Sequence, residues 1–83
     1  MRYRLRYVAG IYWLVDTGQE GMPYRTPLTM NEVGADIWKM MERGFHQDKI
    51  TDLLCQEYQV SKETALSDVE QFQKQLVDYG IKI

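Results

Sequence analysis

His46 and Cys55 are the side chains here best suited to acid–base, nucleophilic or metal chemistry, and neither has the company such chemistry needs. No cysteine or carboxylate stands at a recognisable ligand or relay spacing from His46, which reads as a surface or helix-capping histidine at the start of a helix. Cys55 is the single cysteine, so it forms no internal disulfide. It sits beside Ile50, Leu53 and Leu54 with no basic residue next to it, the setting of a small half-buried hydrophobe. There is no glycine-rich phosphate loop, no serine–histidine–acid set and no carboxylate pair with a division of labour between acid and base. The expectation is a non-catalytic protein without metal or cofactor, whose chemistry is recognition through backbone groups and surface side chains.

Elements able to position such a surface are legible from periodicity. From Tyr3 to Val8 the chain alternates Tyr3, Leu5 and Tyr7 with Arg4 and Arg6, the pattern of a half-buried strand. Ala9-Gly10 is a tight turn, and residues 11–15 are β-branched and aromatic, so a second antiparallel strand completes a hairpin. After a polar loop from Asp16 to Gly21, residues 24–29 alternate again, with Tyr24, Thr26 and Leu28 on one side, which predicts a third strand. Asn31 is a helix cap ahead of Val33, Ile37, Met40 and Met41, so helix one spans about 31–43 and stops at Gly44. Phe45 should plug the core. Helix two, about 47–58, carries Ile50, Leu53, Leu54 and Tyr58. Helix three, about 61–79, is capped by Ser61, buries Val69, Phe72, Leu76 and Tyr79, and ends at Gly80.

The 83 residues suffice for a single domain spanning 1–83. A chain of this size buries about 60% of the surface its unfolded form exposes, so the core is small. With 45% apolar and 27% charged residues it is composed like an ordinary globular protein. The predicted class is α+β: a winged helix-turn-helix with a three-stranded antiparallel sheet followed by three helices that cover it. No apolar run approaches the ~18 residues of a membrane span, and Met1 to Tyr7 alternates instead of leading into a signal-peptide core. The expected location is cytoplasmic, with no membrane partner.

Three stretches in order resemble the PqqD-like precursor-peptide recognition domains of ribosomal peptide maturation. They are Arg6-Tyr7-Val8-Ala9-Gly10-Ile11-Tyr12, then Leu28 through Trp38, then Asp68-Val69-Glu70-Gln71-Phe72 with Leu76 and Gly80. Two departures are visible: Val33 where the family usually has threonine, and Gln73 where it usually has leucine. The resemblance implies a module that recognises the leader segment of a precursor peptide. The leader adds as a strand to the edge of strand three and packs against helix three, and the domain presents the precursor to a modifying enzyme, often a radical S-adenosylmethionine enzyme.

On that basis the candidate peptide-binding residues are Tyr24, Arg25, Thr26, Pro27, Leu28 and Thr29 on strand three, with Leu66, Asp68, Glu70, Gln73 and Val77 on helix three. Each also has a plainer reading. A strand edge bearing Pro27 and Arg25 is equally an edge blunted against aggregation. Leu66, Glu70, Gln73 and Val77 suit a groove wall or a solvated helix flank. Asp68 could pair with a basic leader residue or supply charge near a helix start.

Two other functions share this shape: a winged-helix DNA-binding protein, and a protein–protein adaptor without a leader. Against the first, Ser61 to Tyr79 carries Lys62 and Lys74 against Glu63, Asp68, Glu70 and Asp78, a net charge of −2, which a phosphate-lined groove repels. The overall formal charge of −2 points the same way, and no nucleic-acid partner is expected. An open edge strand leaves either a monomer or an edge-strand dimer.

Overall fold

The computed structural model of the protein describes residues 3–17 and 27–81. Its elements run β1 (Tyr3–Val8), β2 (Ile11–Asp16), β3 (Leu28–Met30), α1 (Glu32–Glu42), α2 (Gln47–Tyr58) and α3 (Lys62–Tyr79). This is the predicted α+β order, an antiparallel sheet with strand order β1-β2-β3 followed by three helices. The described residues fall into two compact units, Met1–Ala35 and Asp36–Ile83.

In the first unit the hairpin closes through Ala9 and Gly10, whose φ values of 54° and 79° are both positive. Two consecutive left-handed residues make the type I′ turn whose twist matches paired strands. Alanine tolerates that conformation poorly. Ala9→Asn is therefore expected to raise stability by about 0.5–1 kcal/mol in urea denaturation. An unchanged midpoint would mean that this turn does not constrain the hairpin.

The register places Leu5 opposite Leu14 and Leu14 opposite Leu28, one apolar row across three strands. Leu14 is fully buried and Met30 nearly so. Tyr7, expected on the inward face, is 63% exposed, because it lies beside the turn where the row runs out. Its ring lies 4.6 Å from that of its cross-strand partner Tyr12, tilted by 48°. β2 extends one residue further than expected, to Asp16, which pairs with Tyr3 and is buried.

Strand three was expected over 24–29 and is found at Leu28–Met30. Tyr24, Arg25 and Thr26 lie outside the described residues, and Pro27 stands half-buried just before the strand. Met30 joins the strand because the helix begins only after Asn31, leaving the chain extended far enough to pair Met30 with Tyr12. The Asn31 cap is formed: the Gly34 amide donates to Asn31 Oδ1 at 2.9 Å.

In the second unit α1 ends in a Schellman motif. The Phe45 amide donates to the Met40 carbonyl and the Gly44 amide to that of Met41, with Gly44 at φ 84°. Phe45 is half-buried, not the full plug expected, with the Arg43 guanidinium 5.3 Å from its ring centroid. α3 ends the same way. The Ile81 amide reaches the Leu76 carbonyl, the Gly80 amide that of Val77, and Leu76 and Ile81 are both buried. Ser61 caps α3 by accepting from the Thr64 amide at 3.1 Å.

His46 holds the N-cap position of α2 but makes no side-chain cap bond, and Gln59 closes that helix in the left-handed region at φ 53°. The core of this unit is Ile37, Trp38, Met40, Ile50, Leu54, Ala65, Val69, Phe72, Leu76 and Ile81. Tyr79 is half-buried, at the margin of the stripe it was expected to extend.

Candidate functional site

Two surfaces carry the candidate residues, one in each unit. Among the described residues β3 is the last strand of the sheet, so one of its sides faces no other described strand. In a hairpin closed by a two-residue turn, the pair flanking the turn exchanges backbone hydrogen bonds and the pairs alternate from there. Val8 and Ile11 form that closing pair, so Ile11, Trp13 and Val15 direct their backbone groups to β1, and Tyr12 and Leu14 direct theirs to β3. Across the second ladder Leu28 and Met30 therefore turn their backbones inward to β2. Thr29 directs its own away from β2 and has an exposed side chain. Pro27 shares the phase of Thr29, where a nitrogen without a proton breaks no bond to β2.

On α3, Leu66, Glu70, Gln73 and Val77 follow one another at spacings of four, three and four, so all lie within an arc of roughly 60°. Glu70 is exposed and Val77 is 58% exposed, while Leu66 and Gln73 are half-buried where the stripe meets the buried row of Ala65, Val69, Phe72 and Leu76. The structure does not bring Asp68 to this stripe. It projects roughly 160° round the helix from Leu66, on the opposite flank of the buried row, and is half-buried.

Among the described residues no group of three or more histidine, cysteine, aspartate or glutamate side chains is arranged to hold a metal ion. His46 is exposed and Cys55 half-buried. Within the described residues no helix is long and apolar enough to cross a membrane.

A family model described as coenzyme PQQ synthesis protein D (PqqD) matches residues 22–81, well over half of the chain. The chain belongs to the PqqD family. Among solved structures this PqqD-family chain is similar to TbiB1 in complex with the TbiA(beta) leader peptide. The TM-score is 0.71 at 26% identity, covering 93% of this chain and 84% of that one. Comparison with curated proteins finds no match.

Sequence reasoning did not anticipate one feature of this PqqD-family chain. An open groove of about 440 Å³ runs between α1 and α2, with Asp36, Lys39 and Arg43 on one wall and Leu53, Gln56 and Glu57 on the other. Close by, the Tyr58 hydroxyl donates to the Asp36 carboxylate and ties the two helices together. The signal was present as two helical runs, 36-39-40-43 and 53-56-57, each mixing charge with an apolar residue.

Proposed function

We propose that this protein is a non-catalytic module that binds the leader segment of a ribosomally made precursor peptide and presents it to a modifying enzyme. The observations that carry this reading are membership of the PqqD family and the likeness, over nearly the whole chain, to TbiB1 solved in complex with a leader peptide. The leader pairs as an added strand with β3 on the side that Pro27 and Thr29 face, and Tyr24, Arg25, Thr26 and Leu28 belong to the same strand contact. Its side chains are read by Leu66, Glu70, Gln73 and Val77 of α3, while Asp68, on the opposite flank of the buried row, is left out of this surface. Strand addition supplies affinity through main-chain hydrogen bonds that any sequence can make, so specificity falls to the side-chain surface.

In this reading residues 1–83 work as one winged helix-turn-helix module in the cytoplasm. The enzyme served belongs to the radical S-adenosylmethionine class.

Calorimetric titration of the protein with the leader segment of its candidate precursor peptide tests this reading. Saturable one-to-one binding is expected, and absence of binding sinks it. The rival DNA reading is tested in parallel. With a net charge of −2 on α3, duplex DNA at physiological salt should bind no tighter than the non-specific range of roughly 10⁻⁴ to 10⁻⁶ M. Sequence-specific nanomolar binding in a mobility-shift assay would favour the DNA reading instead.

A further inference from the structure

β1 alternates apolar with charged residues, but β2 is apolar on both faces. Tyr12 and Leu14 share the face of Leu5, while Ile11, Trp13 and Val15 project from the other. On that second face Val8 pairs with Ile11, Arg6 with Trp13 and Arg4 with Val15, and from β3 Thr29 pairs with Trp13. The result is an apolar column flanked by two guanidinium groups. None of these side chains is buried: Val8 is 57% and Ile11 43% exposed, Arg4, Arg6 and Thr29 are exposed, and Trp13 and Val15 are half-buried. A solvated face of an antiparallel sheet ordinarily turns polar residues to water. Tryptophan and arginine in apolar surroundings are instead the composition of interface centres.

We infer that this sheet face docks the modifying enzyme, through an apolar patch on that enzyme edged by carboxylates; the inference rests on the leader-binding reading above. Charge decides the chemistry of the partner. Among the described residues of this face the charged ones are Arg4 and Arg6, both positive, in a chain whose net charge is −2. A carboxylate rim receives them. A second copy packed face to face would instead gather four guanidinium groups with no carboxylate from the described residues of the face between them. Nucleic acid fits less well, since one aromatic and two cations supply little stacking or phosphate neutralisation.

Position supports the same occupant. Thr29 contributes its side chain to the margin of this face while its backbone is directed away from β2, the side on which the leader adds. An enzyme seated on the column therefore sits beside the leader strand.

The test uses the full chain and the purified enzyme that modifies its precursor peptide. Two variants are made, Arg4→Glu with Arg6→Glu, and Val8→Lys, each checked for an unchanged circular-dichroism spectrum. Both should weaken enzyme binding at least tenfold while leader affinity stays within twofold of wild type. The inference is overturned if the enzyme binds the variants as it binds wild type, or does not bind wild type at all. It is equally overturned if leader affinity falls in parallel, if sedimentation shows that the face holds a second copy, or if single-stranded oligonucleotides compete for it. Failure of wild type to bind leader would sink the proposed function separately, because the leader arm is read without the enzyme.

Discussion

Phe72→Ala is expected to cost about 3–5 kcal/mol, enough to unfold a protein whose total stability sits at the lower end of the usual range of about 5–15 kcal/mol. Phe72 is 4% exposed and stands in the buried row of α3 between Val69 and Leu76, both fully buried. Removing its ring deletes a large share of the apolar surface in a small core and leaves a cavity that neighbours held in helices fill only partly. Val77→Ala, on the exposed flank of the same helix, should change stability by no more than about 0.5 kcal/mol. Urea denaturation of the two variants side by side checks the helix phase. A loss below about 1 kcal/mol for Phe72→Ala would place that ring outside the core.

A charge introduced on the α3 stripe is expected to weaken leader binding at least tenfold, about 1.4 kcal/mol, without altering the circular-dichroism spectrum. Leu66→Glu is the sharper probe, because Leu66 is half-buried and a carboxylate there either desolvates against the leader or displaces it. Val77→Glu is the control for stability. Val77 is 58% exposed, so its replacement leaves the core intact and any loss of affinity reports the surface alone. Wild-type affinity in both variants would remove α3 from the binding surface.

Local chemistry made most of the elements legible. Asn31 and Ser61 announce helix starts because a short polar side chain can take an orphan amide, and both accept the bonds expected of them. Gly44 and Gly80 announce helix ends because only glycine enters the left-handed region without cost, and both close Schellman motifs. Gln59 ends α2 in the left-handed region without the glycine signal, so that end is legible only from the following Val60-Ser61 turn.

The surfaces were less legible, because exposure is set by tertiary context. Tyr7 continues the alternation of β1 yet is exposed, since alternation states which face a residue takes and not how far cover extends along it. The α3 stripe follows from helical spacing, whereas Asp68 joins it only through the family pattern, since helix phase sets it on the far side of the buried row. In sequence the unbroken apolar run of β2 reads as strand propensity. Its second meaning, a sheet apolar on both faces, becomes visible only once the register sets Arg4 and Arg6 across from Val15 and Trp13.

Strand addition at β3 is tested most directly by a scan of the leader with single N-methyl amides, each replacing one main-chain donor by a methyl group. If the leader pairs with β3, the losses alternate with period two. Positions whose amides face β3 should lose at least tenfold in affinity, and the intervening ones should remain within about twofold. In labelled protein, the amide shifts caused by the unmodified leader should concentrate in residues 24–30 and 63–77. A scan without alternation, or shifts gathered around Ala9 and Gly10 with β3 silent, would contradict strand addition even if the protein binds the peptide.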